Sequence, residues 1–483
     1  LQGVYPLASE SVDPVPGTPI QVARATAADE VLTSKLDCGT AVCQISLARI
    51  GGRNGNVLWA QSIEAPIEKP YLLAEAVQSH LRIGYGDHAP RRGASRMEVS
   101  PEDYARYLVL LREFEQAQSE ELSPDALARL AAIRRSSPRF LEAFLFEAKA
   151  LQRRFQFQRD PADLDRAAAL LRDARELAPE DLRPVEVLCE ISLKAHRPEQ
   201  AEEAVRQMER LQPGSYAAQA FRARLLEQQE KRKEALDLIR QVARRNPSWQ
   251  HLYWAARMTY RNGHQAEGRG YLEELLTRFP DYSIGKSLLG EWELLTGSPQ
   301  RAVELYGDVV RSHPEATELS QLGLAYLLLH QYGKAEEEFG RAVELAPRNP
   351  LVALNLADAR LLLGKKKSAA ALYRQIIDWV AADPGGAQVQ LLSARAQALA
   401  HLGERRGAVE AAQQMLRMAP DDAQVALDVA LVYTVVGDRV SALTNAQRAL
   451  EGGVEPRWFA FPWFAPLQSS AEFQKLGRDT STR

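Results

Sequence analysis

From Pro101 to about residue 456, apolar residues recur every three or four positions, the spacing of one face of an α-helix. Prolines break this pattern at 138, 179, 213, 247, 280, 314 and 347, and Pro420 continues the series after a longer gap. After the first, the intervals up to Pro347 are 33 or 34 residues. Proline has no N–H with which to continue a helix, so each one marks the end of a second helix and the start of a connection. The clearest unit runs from Ala316 to Asn349. Leu319, Leu322, Gly323 and Tyr326 lie on its first helix, Tyr332, Ala335, Phe339 and Ala342 on its second, and Pro347 closes it. Small residues on both helices let the pair cross closely, while the bulky ones fill the space to the next pair.

That order of large, leucine, small, aromatic, then alanine, aromatic, alanine, proline resembles the tetratricopeptide repeat. Neighbouring windows keep it: Gly290, Ala302, Tyr306 and Pro314; Ala357, Ala369 and Tyr373; Ala430, Tyr433, Ala442 and Ala449. The resemblance implies a mostly α chain, a right-handed superhelical tetratricopeptide-repeat solenoid of about nine or ten helix pairs, with a divergent leader pair over 102–138. A seven-residue insertion around Phe155–Asp163 is expected to lengthen the loop of the second unit.

In front of the repeats the texture changes. Residues 1–26 hold Pro6, Pro14, Pro16, Gly17 and Pro19 and read as irregular or edge structure. Glu30–Cys38, Cys43–Ile50 and 56–63 read as three strands joined by turns at Gly39–Val42 and Gly51–Gly55. Pro70–Ile83 then reads as an amphipathic helix with Leu73, Ala76, Val77 and Leu81 on one side. Cys38 and Cys43 flank the first turn and can either close a disulfide or stand as two reduced structural thiols. A bonded pair implies an oxidising compartment, in a bacterium the periplasm.

The meander ending in Gly55-Asn56-Val57-Leu58-Trp59, followed by that helix and by Tyr104-Ala105-Arg106-Tyr107-Leu108, resembles the C-terminal half of the TolB-like domain. In that family this half precedes tetratricopeptide repeats in the sensor regions of membrane-anchored bacterial serine/threonine kinases, and it occurs in winged-helix regulators and adenylate cyclases. The aromatic run Arg457–Leu467, through to Leu476, looks like the terminal cap of such arrays. The expected organisation is a small α/β TolB-like domain over 1–98, the repeat solenoid over 99–456 and a capping segment over 457–483. The resemblance implies a periplasmic sensor region that passes a binding event to a kinase, anchored in the inner membrane through a segment before Leu1.

Composition narrows the choice without redirecting it. The 483 residues are 46% hydrophobic and 25% charged, with a net charge of -3. That balance offers no global attraction to nucleic acid or an anionic membrane surface. No apolar run approaches the roughly 20 residues of a spanning helix. The chain opens on Leu1 with no signal-peptide pattern, so a fragment of something longer is expected. Phosphate-loop, zinc-protease, hydrolase-elbow, dinucleotide and kinase motifs are all missing from the sequence, so no catalytic role and no cofactor is expected. Gly364-Lys365-Lys366-Lys367-Ser368 reads as a solvated inter-helix turn, and His196, His264, His330 and His401 fall near such turns. Cys189 takes a small-residue packing position, and the three cysteines do not make a metal site.

The remaining candidate is the inner groove, which the first helix of each pair lines. Repeat geometry places Arg224, Tyr253, Arg257, Tyr260 and Arg261 there, a cationic and aromatic set suited to carboxylates or an acidic peptide. Further along come Leu294, Leu324, Leu327, Leu328, Leu354, Asp358 and Leu361, suited to a partner helix or to the chain's own segment. The competing reading is ordinary groove surface, with the leucines buried between repeats. Alternatives to the kinase sensor are a free periplasmic scaffold or assembly factor, the sensor of a winged-helix regulator, and a cytoplasmic adaptor.

Overall fold

The computed structural model describes residues 18–26, 28–66, 70–85, 99–116, 124–158, 160–312, 314–382 and 388–474. The chain divides into two compact units, Leu1–Tyr282 and Ser283–Arg483.

The first unit opens with α1 (Pro19–Thr26), β1 (Glu30–Cys38), β2 (Val42–Gly51), β3 (Val57–Pro66) and α2 (Pro70–Tyr85). The end of the proline-rich leader is therefore helical where irregular structure was expected. Pro19 sits at the first helical position, where no N–H is needed. Thr18 and Gln21 cap one another: Thr18 N–H donates to Gln21 Oε1 at 2.7 Å and Gln21 N–H to Thr18 Oγ1 at 3.5 Å. Residues 1–17 of that leader lie outside the described residues. The sheet is antiparallel in the order β1-β2-β3, with Cys38 opposite Cys43 and a shift between Arg49 and Ile50. Leu47, Ile63 and Ala65 share the buried face.

The helix pairs follow. In the first unit they are α3 (Pro101–Gln116) with α4 (Pro124–Ser136), α5 (Leu141–Gln158) with α6 (Pro161–Leu177), and α7 (Arg183–Lys194) with α8 (Pro198–Leu211). Then come α9 (Tyr216–Gln228) with α10 (Arg232–Arg245) and α11 (Trp249–Arg261) with α12 (Gln265–Arg278). The second unit holds α13 (Ser283–Leu295) with α14 (Pro299–Ser312), α15 (Ala316–Leu328) with α16 (Tyr332–Leu345), and α17 (Pro350–Leu362) with α18 (Lys366–Ala382). It continues with α19 (Val389–His401) and α20 (Arg405–Met418), then α21 (Ala423–Val435) and α22 (Arg439–Glu451). Two 3-10 turns, Pro456–Ala460 and Pro462–Phe464, and the short α23 (Ala465–Gln468) follow, and residues 471–474, the last described, are helical.

The stop–start device is local. After Pro213, Pro247, Pro347 and Pro420 the chain supplies Ser215, Ser248, Asn349 and Asp422, whose side chains accept N–H bonds from the first turn of the next helix. Within a pair, Gly323 on α15 faces Phe339 on α16. A Cβ at Gly323 would lie 2.5 Å from that ring, so only glycine permits the approach. The insertion at 155–163 does not lengthen a loop as expected. It lengthens helices: α5 has 18 residues and α6 has 17, against 13 for α9 or α15. Phe155–Gln158 contain no breaker, and Asp160 with Pro161 restarts the chain at once, the Asp160 carboxylate accepting from Ala162 N–H at 3.0 Å. Fully buried Glu147 ties three helices together, accepting from Arg134 at 2.9 Å and Arg166 at 2.5 Å.

Candidate functional site

The inner face of the first unit is built from α7, α9 and α11, one helical-repeat step apart. Arg224, at the ninth position of α9, is only 9% exposed. Its guanidinium donates to Glu190 on α7 at 2.5 Å and lies 3.7 Å over the Trp254 ring and 5.2 Å from the centroid of Phe221. Burial alone would raise the Glu190 carboxyl, but Arg224 and Lys194 outweigh it and hold it below its ordinary value. Arg257, the corresponding residue of α11, donates to Tyr253 Oη at 3.0 Å and sits 5.6 Å from the Tyr253 ring and 5.7 Å from that of Trp254. Tyr282 packs beside Trp249 and Tyr253, at 4.9 Å and 6.5 Å between centroids.

Trp254 thus joins three of the five cationic and aromatic candidates into one stack. Sequence reasoning did not select it, although it stands at the same helical position as Phe221 one repeat earlier. Tyr260, half-buried, and Arg261, exposed, follow at the last turn of α11. Any anionic ligand approaching Arg224 competes with Glu190, whereas Arg257 meets the Tyr253 hydroxyl. The accessible cation of the stack is therefore Arg257.

The second unit's inner face is apolar. Leu294, Leu327 and Leu354 are buried, while Leu324, Leu328 and Leu361 are partly exposed against the same cores. Asp358 is not a surface acid: it is buried and accepts from Tyr373 Oη at 2.6 Å. Burial pushes its carboxyl up to about 7, with the Tyr373 bond opposing. His401 Nε2 lies 3.8 Å from that carboxylate, and its ring stacks on Tyr373 at 5.1 Å and meets Trp463 edge-on at 4.9 Å. Burial depresses His401 to about 4. A second acid, Asp428, is pushed up to about 6 by burial and accepts from Ser393 Oγ at 2.6 Å.

The other singled-out residues have structural places. Cys38 and Cys43 are bonded across the β1–β2 turn, with Cα atoms 4.0 Å apart. Cys189 is buried, and burial pushes its thiol up to about 12. His196, His330 and Gly364 take positive φ at inter-helix turns, and Lys365 pairs with Glu336 at 2.6 Å. Among the described residues no group of His, Cys, Asp and Glu could hold a metal, and no helix is long and apolar enough to cross a membrane.

The family model for the tetratricopeptide repeat matches residues 190–248, 222–283 and 320–387. Over 108 residues the chain is 31% identical to the cellulose synthase operon protein C of Pseudomonas fluorescens (strain SBW25), covering 22% of this chain and 8% of that protein. The chain therefore spans a small fraction of that relative's length. Among solved structures, the C-terminal part of a TPR repeat-containing protein from Cytophaga hutchinsonii aligns with 50% of this chain and 97% of its own, at 18% identity and a TM-score of 0.38. The APC/C hetero-tetramer Cut9–Hcn1 aligns with 85% of this chain and 81% of its own, at 14% identity and a TM-score of 0.41. The matched windows are tetratricopeptide repeats set among helix pairs of the same build, and the fold they form is a scaffold for protein–protein interaction.

Proposed function

We propose that this chain is the protein-binding sensor region of a membrane-anchored bacterial serine/threonine kinase, working in the periplasm with its partner held on the inner faces of the repeats. The observation that carries the binding half is the Arg257–Tyr253–Trp254 stack on α11, a half-buried cation with aromatic walls that suits an acidic peptide. The compartment half draws support from the bonded Cys38–Cys43 pair, since such bonds persist in oxidising surroundings. The kinase link rests on the resemblance of the meander and helix to the sensor architecture. Each repeat touches only its neighbours, so a bound partner could bias the curvature of the array and pass that bias on.

Two measurements test the reading. Thiol labelling with mass spectrometry on protein from its native host should find Cys38 and Cys43 protected, and free thiols there remove the periplasmic assignment. A membrane-spanning helix and kinase motifs encoded ahead of residue 1 would support the kinase parent, and a winged helix there would replace it. A free-standing scaffold or assembly factor is the second reading. It is favoured by the 108-residue likeness to a protein named for a cellulose synthase operon.

A further inference from the structure

From α7 to α22 the turns within pairs follow one rule with one exception. At His330 and Gly364 the turn residue has positive φ, and its N–H donates to the twelfth residue of the preceding helix while the next N–H donates to the eleventh. On α15 these bonds are His330 to Leu327 O and Gln331 to Tyr326 O, both 2.9 Å. Gly403 and Gly437 repeat the arrangement on α19 and α21. The α13–α14 turn departs from it. Gly297 has no positive φ, its N–H goes to Glu293 O at 3.1 Å, and the following N–H of Ser298 goes to the Glu293 carboxylate at 2.7 Å. Glu293 and Leu294 are the eleventh and twelfth residues of α13. Both carbonyls accept from the Arg457 guanidinium, each at 3.2 Å, across 164 and 163 residues of sequence, and Glu293 O keeps the Gly297 N–H as well.

Arg457 belongs to the C-terminal segment, which shows two kinds of residue. Phe459, Phe464 and Leu467 are 1% exposed and belong to the core shared with α19 to α22. Arg457, Phe461 and Trp463 remain partly exposed and reach along the inner face. Phe461 packs both against that C-terminal core and against the cluster of Leu327, Phe339 and Leu356, and Trp463 meets His401. A terminal cap has to cover only the last pair. This segment also touches α13, α15 and α19, and it does so with side chains that stay half in solvent.

We propose that the inner face of the second unit is a peptide-binding groove occupied by the chain's own segment 456–463 as a displaceable ligand. The partner it takes has the same chemistry: a segment of two proline-led 3-10 turns with an arginine, an aromatic ring four residues on and a second six residues on. The arginine enters the α13–α14 turn, where it bonds Leu294 O and shares Glu293 O with the Gly297 N–H. Phe461 lies against the cluster of Leu327 and Leu356, and Trp463 against His401. Pro456 and Pro462 open the two turns and fix their first φ before binding, which lowers the ordering cost. This deepens the protein-binding reading by naming a partner chemistry for the second unit's face.

The test uses a fluorescein-labelled peptide copying residues 455–464 and the full chain in two forms. The triple variant R457A/F461A/W463A keeps the buried anchors. It should bind the peptide at least tenfold more tightly than wild type, and a peptide with alanine in place of its arginine should lose that gain. Equal, weak binding to both forms of the chain, with helicity and melting unchanged, overturns the proposal and leaves the segment a cap. Should the triple variant misfold, hydrogen exchange on wild type decides. Excess peptide is expected to speed exchange in 456–464, and unchanged exchange overturns the proposal. The probe is the chain's own sequence, so failure here leaves the sensor reading standing, whose own test is at Arg257 and the disulfide.

Discussion

The two inner faces solve the same problem with opposite chemistry. In the first unit, successive first helices present cations, and each finds a carboxylate, a phenol or an aromatic ring: Arg224 with Glu190 and Trp254, Arg257 with Tyr253. In the second unit that position carries Leu324 on α15 and Asp358 on α17, and among the described residues neither buried Asp358 nor half-buried Asp428 has a lysine or arginine in hydrogen-bond reach. Asp358 and Asp428 are answered by hydroxyls from Tyr373 and Ser393 instead. A carboxylate beside a guanidinium stays charged, whereas one among rings and hydroxyls is driven toward its neutral form. A shared backbone template therefore does not imply shared surface chemistry, and side chains contributed by neighbouring helices decide it.

The largest expected effect tests how far the second unit depends on ring packing. Replacing Phe339 by alanine should cost about 3–5 kcal/mol in chemical denaturation, because the fully buried ring fills the space that Gly323 opens. Loss below about 1 kcal/mol would mean the pair can collapse around the gap.

The next two variants apply one chemical change, acid to amide, to both faces. Glu190→Gln should destabilise the first unit by about 2 kcal/mol near neutral pH, since Arg224 is left buried without its counter-charge. Asp358→Asn should do the reverse and stabilise the second unit by about 1 kcal/mol or more at pH 8, since a buried charge is removed while an acceptor for Tyr373 Oη is kept. Shifts of the same sign in equilibrium unfolding would erase the contrast.

Their pH dependence should also diverge. The Glu190 carboxyl is held below its ordinary value in the folded state. Its contribution is therefore present above the unfolded value of about 4.3 and is lost as pH falls through the depressed one. The Asp358 carboxyl is raised to about 7, so folding stability is highest below the unfolded value of about 3.9 and declines as pH rises toward 7. Relative to wild type, the stability advantage of Asp358→Asn should open between about pH 4 and pH 7 and level off above. A gap independent of pH would mean the acid is charged throughout.

The smallest effect on stability belongs to the most exposed pair. Charge reversal at Arg257 and Arg261 should leave unfolding within about 0.5 kcal/mol of wild type. It should weaken binding of an acidic model peptide at least tenfold in a fluorescence titration. Unaltered binding would remove the first unit's face from consideration.

Repeat period, turn positions and helix starts were legible in the chain because each is a short-range matter. A proline, a capping Ser, Asn or Asp two residues or fewer later, and a glycine opposite an aromatic ring are all set within one unit of about 34 residues. The strand pattern of the meander was legible for the same reason. The helical fate of 155–158 and of Pro19–Thr26 was not, because an insertion carries no mark of its direction and a run of prolines hides the Thr18–Gln21 cap. Within the candidate site, the positions facing the groove could be counted off from the repeat. What each would meet there could not.

The sequence by itself determined that this chain is an array of paired helices behind a small meander, because local propensity and a fixed period suffice for that. Only the tertiary structure decided that Arg224 is spent on Glu190 and Trp254, that Asp358 is a buried acid, and that Arg457 lies on the carbonyls of Glu293 and Leu294. Asp358 depends on a ring of its paired helix, and the two arginines on partners outside their own repeat, up to 164 residues away. A periodic pattern records which face a residue takes, and burial and charge follow from what is packed against that face.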